Sequence, residues 1–334
     1  MAKDQEEEAR LTGVGVQQPG EVVVVYLVQG LLGLSRLAVF TFFKDDLQLD
    51  PAEVGLLTGL GFAPWVIKPV YGFLSDSLPL FGYRRRSYLI LCGLLGALAW
   101  GGLAGLATTP STAILFLLLS SAATACADVV ADSIVVELSR GEPQSTAGSL
   151  QSLCWASASA GNILSAYFSG SLVQDHGARS VFMVTALFPL LVTTAAIVIP
   201  EERTTFGSGS SNGSGAAQQL LLGGPEQLQR QSHEVWLAFT SQAKALWGAV
   251  GQKAIFLPAL FTLCWQATPT ADTAMLFFET NQLGFTTEFL GRIRLVAAVA
   301  SLLGVGIYNF ALKKTPLRKL LRVLLGAGLE QPGS

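Results

Sequence analysis

Charge is what this sequence has least of. Only 13% of its 334 residues are Asp, Glu, Lys or Arg, against 51% hydrophobic residues. A soluble domain usually carries about twice that charged fraction. With a mean hydropathy of +0.49, the chain cannot cover a soluble surface with polar side chains. Its net charge of −2 is too weak for a bulk electrostatic partner, which excludes nucleic acid. Histidine is nearly missing: His176 and His233 are expected in loops, which argues against a His-rich metal site. The four cysteines, Cys92, Cys126, Cys154 and Cys264, fall in apolar segments without CxxC spacing and are expected as buried, unpaired thiols. The sequence has no nucleophile–His pair, metal cluster or phosphate loop, so it is not expected to be an enzyme or to carry a cofactor. The acidic N-terminus MAKDQEEEAR lacks the basic start of a secretory signal and the Arg/Ser richness of a transit peptide.

Long apolar runs are what the chain does contain. Eight of them approach the roughly 20 residues that cross a bilayer, near 22–43, 54–76, 87–107, 112–138, 147–171, 179–199, 253–279 and 289–312. Backbone polar groups must be satisfied internally in lipid, so these runs are expected as helices. The 35 glycines suit close helix–helix approach there. The fold class is therefore an all-α polytopic membrane protein. Lys and Arg gather in alternate loops, at Arg84, Arg85, Arg86, Arg140, Arg203 and Lys244, while Lys44 and Arg179 stand on the other side. That asymmetry puts the N-terminus inside.

The domain division follows: a tail over 1–21, a six-helix half over 22–199, a linker over 200–252, and a partial second half over 253–334. The linker contains TTFGSGSSNGSGAAQQ, a flexible Gly/Ser composition. The two halves also resemble each other. Gln29, Arg36, Phe42-Phe43, Leu47 and Gly55 are echoed by Gln266, Asp272, Phe277-Phe278, Leu283 and Gly291, with the Leu-to-Gly spacing identical. Parallel repeats of this kind mark transporters with a site at the repeat interface. The second half is expected to stop about four spans early.

An ionisable residue within the bilayer is expensive and a functional candidate. Arg36, Lys68, Asp128, Asp132 and Asp272 qualify. Asp128 and Asp132 lie four apart and so share a helix face, at a depth close to Lys68. The bland expectation is buried pairing, Lys68 with Asp128 or Asp132 and Arg36 with Asp272. The functional one adds a carboxylate that takes up a proton during transport, since desolvation favours the neutral form of a buried acid. Gln266, Thr268, Pro269, Thr270 and Asp272 surround an expected proline break in span 7, either a polar pocket or a packing kink. Arg292 and Arg294 at the start of span 8 either bind an anion or reach outward to the interface.

The loop between spans 2 and 3 reads Gly72, Ser75, Asp76, Gly82, Arg84, Arg85, Arg86. It resembles the G-x-x-x-D…G-R-R/K gating loop of the major facilitator superfamily, with extra residues before Gly82. Gly72 would permit tight helix contact, and Asp76 would pair with arginine or a helix N-terminus at the membrane edge.

Four segments, LVQGLLGLSRLAVFTFFKDDL, WVIKPVYGFLSDSLPLFGYRRRSYL, ADVVADSIVVE and QATPTADTAMLFF, together resemble the folate–biopterin transporter family of that superfamily. The resemblance covers most of 22–312 and implies a major-facilitator-type bundle: a twelve-helix carrier for folates and related pterins, proton-coupled, of which this chain has six helices plus about two. It places the protein in a plasma membrane or plastid envelope, with the N-terminus cytoplasmic or stromal. Its partners would be the substrate, a proton, the lipid bilayer and, for so short a chain, a second copy in a homo-oligomer. A carrier for another organic anion, a shortened non-transporting protein that regulates a full-length partner, and a membrane-embedded enzyme remain as rival readings.

Overall fold

The computed structural model describes residues 19–77, 80–81, 83, 85–139, 144–198, 201, 240, 244, 248, 251–266 and 271–307. The expected tail over 1–21 for the most part, nearly all of the 200–252 linker, His233, Gly82, Arg84, the Thr268–Thr270 break and the end of span 8 lie outside these residues.

Helices account for the fold, and their breaks follow from local chemistry. Span 1 comprises α1 (Pro19–Leu31), a 3-10 turn (Leu32–Leu34), α2 (Ser35–Thr41) and a π turn (Phe42–Asp46). In that turn the Leu47 amide reaches back to the Phe42 carbonyl at 3.0 Å. Span 2 is broken into α3 (Pro51–Gly61), α4 (Ala63–Val66) and α5 (Lys68–Ser77). Pro64 and Pro69 have no N–H and crowd the carbonyls four residues back, which interrupts the helix around Phe62 and Ile67. Span 3 is α6 (Arg86–Gly105) and span 4 is α7 (Pro110–Leu138). The latter opens on a capping box between Thr109 and Thr112, which satisfies amides that the first turn leaves unpaired.

Spans 5 and 6 share α8 (Gln144–Thr185), continued by α9 (Phe188–Val198). Leu150–Val198 holds 49 residues, about 73 Å if straight, more than twice a bilayer core of about 30 Å. Gly177, at φ 76°, lets the chain turn back, since a left-handed backbone suits a residue without Cβ. His176 therefore ends a helix where a loop was expected. The second half is represented by α10 (Lys253–Gln266), α11 (Asp272–Asn281) and α12 (Thr287–Ile307). The single span expected over 253–279 is thus two helices flanking the Pro269 segment.

Among the described residues, five stretches are long and apolar enough to cross a membrane: Val22–Asp46, Pro51–Asp76, Arg86–Gly105, Pro110–Leu138 and the doubled Leu150–Val198. Their outer faces agree. Val66, Leu98 and Val296 are 80%, 72% and 69% exposed, which would burden a water-soluble protein but suits lipid contact. Cys92 and Cys154 are buried and Cys126 partly so, while Cys264 is exposed, against the expectation for all four.

Two cores fill the bundle. The proximal one, near the start of span 1, joins Val22, Tyr26, Leu89, Val130, Ile134, Cys154 and Ala196. The distal one joins Leu37, Phe42, Phe43, Trp100, Leu103, Phe182 and Phe277. In lipid such packing holds helices by van der Waals contact rather than by expelling water. Span 1 lies against span 5, and span 8 lies against span 5 as well. The first crossing is glycine-dependent: a Cβ on Gly30 would stand 2.1 Å from the Ala158 carbonyl oxygen, and one on Gly161 would stand 2.4 Å from that of Leu27.

At the distal end Arg179 ties three segments. Its Nη1 and Nη2 donate to the carbonyls of Ala104 and Ala107 at 3.0 and 2.8 Å, its Nε lies 3.6 Å from Asp46, and the guanidinium covers the Phe42 ring at 5.2 Å. The first two bonds satisfy carbonyls at the end of span 3 that no helical amide reaches. Arg179→Lys is expected to cost about 1–2 kcal/mol, because an ammonium cannot reproduce the fork. The check is the midpoint of thermal unfolding followed by size-exclusion fluorescence. A midpoint unchanged from the parent would show that the staple contributes nothing.

The two halves also turn alike. Sliding the chain so that Leu47 falls on Leu283 places Gln48 on Gly284, Asp50 on Thr286, Gly55 on Gly291 and Arg36 on Asp272. Gln48 and Gly284 both have positive φ, 55° and 67°. Two residues later Asp50 caps α3 by accepting from the Glu53 amide at 2.8 Å, and Thr286 caps α12 by accepting from the Phe289 amide at 3.3 Å. The same slide places Lys44 on Thr280, and these two bond each other, Nζ to Oγ1 at 2.9 Å. This one corresponding pair therefore meets face to face at the distal end.

Candidate functional site

Three groups of polar side chains interrupt the apolar bundle. The first sits toward its proximal half and ties spans 1, 2 and 4. Asp128, 7% exposed, uses both carboxylate oxygens: Oδ2 receives the Lys68 ammonium, and Oδ1 accepts from Gln29 Nε2 at 2.7 Å. One turn on, Asp132 accepts from the Tyr26 hydroxyl and is otherwise exposed. The i, i+4 spacing gives two parallel rungs from span 4 to span 1. Lys68 stands at the break between α4 and α5, with its ammonium 4.5 Å above the Trp65 ring, a favourable placement for a cation that has lost water. Of the pairings expected for Lys68, the structure makes the one with Asp128.

The second group lines a cleft of about 380 Å³ between spans 1, 5 and 8. Gly33 and Arg36 come from span 1, Ser159, Asn162, Ser165 and Ser169 from span 5, and Arg294 and Ser301 from span 8. Ser165 donates to the Gly30 carbonyl at 3.1 Å, which pins span 5 to span 1 at the cleft floor. Asp272 does not pair with Arg36. It lies exposed in the first turn of α11, where a carboxylate favours the helix N-terminus. The Gln266 side chain lies outside the described ones.

A third group gathers at the proximal edge. Gly72 meets Val129 of span 4, where a Cβ would make a 3.4 Å contact, so spans 2 and 4 approach closely there. Asp76 is exposed and has no partner among the described residues. Two other acids, Glu137 and Glu201, engage the start of span 3. Arg85 forms its ion pair with Glu137 at the end of span 4. The backbone amides of Arg85 and Arg86 donate to the Glu201 carboxylate at 3.2 and 2.8 Å. Glu201 thus caps the N-terminus of span 3, where a negative charge is favoured. Arg86 covers the Tyr83 ring at 5.2 Å.

Sequence reasoning passes over several of these side chains. Tyr26 reads as an ordinary aromatic in an apolar run, although a buried phenol demands a partner. The pair Pro64 and Pro69 is the signal for a broken span 2 that presents Lys68. Ser159, Asn162, Ser165 and Ser169 recur at helical spacing in span 5 and mark a polar stripe. Arg294, for which the sequence leaves two roles open, lies in the cleft.

This arrangement has relatives. The bundle superposes on a D-xylose–proton symporter with a TM-score of 0.57 at 17% identity, covering 88% of this chain and 69% of that one. On the nucleoside transporter NupG the TM-score is 0.51 at 14% identity, covering 89% and 68%. These show the major-facilitator-type fold. In sequence, the chain is 46% identical over 300 residues to the folate-biopterin transporter of Synechocystis, covering 90% of this chain and 56% of that protein. It is 30% identical over 302 residues to folate transporter 2 of Plasmodium falciparum, covering 90% and 60%. The chain therefore spans well under two thirds of the length of these curated relatives. The model of the BT1 family matches residues 29–327, taking in both the Lys68–Asp128 rung and the Arg36–Arg294 cleft, and the chain belongs to that family.

Proposed function

We propose that this chain is the carrier body of a transporter for folates and related pterins, coupled to protons and working by alternating access. The observation that carries the reading is the Lys68–Asp128–Gln29 rung, a charge pair binding three spans together within an apolar bundle. Protonating Asp128 removes the charge that retains Lys68, and span 2 is then free to part from spans 1 and 4. Asp132, exposed and with only one oxygen engaged by Tyr26, is the better placed acid to accept the paired donors of a 2-amino-pteridine edge. Asp272, exposed in the first turn of α11 and outside the cleft lining, is a second acceptor. The cleft volume falls within the range of about 300–1,000 Å³ that suits small-molecule sites. The Arg85–Glu137 pair and the Glu201 cap act as a latch at the proximal edge, on the cytoplasmic or stromal side if the basic excess sets orientation. Gly72 lets spans 2 and 4 close under that latch.

The experiment is uptake of labelled folate, under an inward proton gradient, by vesicles containing this chain. Uptake that needs the gradient and is competed by unlabelled pterins is the expected result. Uptake that pterins do not compete would indicate another organic anion. No uptake by folded, inserted protein would overturn the carrier reading for this chain alone and favour a partner-binding role, while covalent product formation would indicate an enzyme.

A further inference from the structure

We propose that Arg36 and Arg294 together form a receptor for paired carboxylates, the dicarboxylate terminus of an anionic substrate such as a glutamate-bearing pterin. The proposal rests on the carrier reading and divides its site into two tiers.

Several observations converge on the cleft. Its two guanidiniums come from different halves of the bundle, one from span 1 and one from span 8. Neither has an ion-pair partner among the described residues. Glu288 pairs with Arg292, Asp46 with Arg179 and Asp128 with Lys68. Glu279 lies within electrostatic reach of Arg294, as does Arg36, but it forms no ion pair with it. The lining contains no carboxylate, only hydroxyls, one amide and small apolar groups. Two like charges facing one cleft repel, and a bridging anion turns that repulsion into attraction. Guanidinium forks match carboxylates in two-point geometry. An unpaired arginine within a membrane span is costly enough to call for such a role.

Geometry separates this tier from the acidic one. Arg36 follows Gln29 by two helical turns, so the arginines lie about 10 Å along span 1 from the Asp128 rung. A ligand with a heterocycle at one end and carboxylates at the other would reach both. Lys68, already held by Asp128, is not the anion's partner. Because the two arginines belong to different halves, a bound dianion also draws the halves together. Its binding energy is thereby spent on one conformation in preference to the other.

The test is binding to the purified chain in nanodiscs, with three probes: folate, neutral biopterin, and p-aminobenzoylglutamate. For Arg36→Gln and Arg294→Gln, the folate Kd is expected to rise about tenfold or more, the loss of a charge-assisted bond. Biopterin, which has no carboxylate, should bind within about twofold of the parent, and this also reports that the variants are folded. Equal weakening of folate and biopterin would overturn the proposal, as would unchanged folate affinity in both variants. If the parent binds neither folate nor biopterin, the carrier reading fails. In that case p-aminobenzoylglutamate binding that both variants lose would still support the paired-arginine receptor, and its absence would sink that too.

Discussion

Lys68→Met is expected to lower the stability of the protein by about 2–3 kcal/mol and to abolish gradient-driven uptake. Adding Asp128→Asn should restore most of the stability and none of the uptake. Removing one member of a buried ion pair strands the other, at a cost of about 3–5 kcal/mol in fully buried cases. Here the lysine side chain is 32% exposed and the aspartate 10%, so water offsets part of that cost. The amide introduced by Asp128→Asn would still accept from Gln29, preserving the 2.7 Å bond. Combined with Lys68→Met, it leaves no charge to solvate. Replacing both members of a pair is often close to neutral. On the proposed proton-coupled mechanism uptake has no such escape, because a neutral amide cannot take up and release a proton. Thermal unfolding of the four proteins in a double-mutant cycle, with uptake measured on the same preparations, checks both halves of the prediction. A double variant as unstable as Lys68→Met would mean that the lysine acts by packing on Trp65. Gradient-driven uptake by the double variant would remove Asp128 from proton coupling.

Some of this site was legible in the sequence and some was not, for physical reasons. Counting residues from the membrane edge sufficed to bring Lys68 and Asp128 to one depth, because helix rise is constant and charges in lipid seek each other. The repeat was legible as spacing, and the structure gives it substance in the matching left-handed residues Gln48 and Gly284. The Arg36–Asp272 pairing failed because equivalent positions need not face each other. Where the repeat axis passes, they do, as Lys44 and Thr280 show. About two turns further along, at Arg36 and Asp272, they do not. The proximal latch escaped the sequence for a different reason. Asp76 is close to the arginines in sequence, whereas Glu137 and Glu201 reach them only because spans 4 and 6 end beside the start of span 3. The Arg294 cleft depends on how span 8 crosses span 5, and no periodicity within one helix encodes that.

That crossing makes the second large prediction. Gly291→Ala is expected to open the distal end of the folded protein and to cut uptake to about a tenth or less. A Cβ on Gly291 would stand 2.7 Å from the Gly170 amide nitrogen and Cα, backbone atoms that cannot swing aside as a side chain does. Overpacking of this kind costs about 1–3 kcal/mol. It falls only on the conformation in which spans 5 and 8 touch, so each 1.4 kcal/mol shifts the balance about tenfold toward the parted one. The same end is closed by the edge-on packing of Phe40 against Phe277 and by the Lys44–Thr280 bond, which would part with it. Gly55, the equivalent residue in the first half, meets only Thr273, at 3.8 Å and beyond, so Gly55→Ala should be nearly silent and serves as the control. A cysteine introduced at Leu276, beside the closed contacts, in a Cys264→Ser background reports the opening through its reaction rate with a soluble maleimide. About tenfold faster labelling in Gly291→Ala, at the parent rate in Gly55→Ala, is the expected pattern. Parental labelling in both would mean that spans 5 and 8 stay in contact throughout the cycle, and the moving boundary would have to lie at span 2 instead.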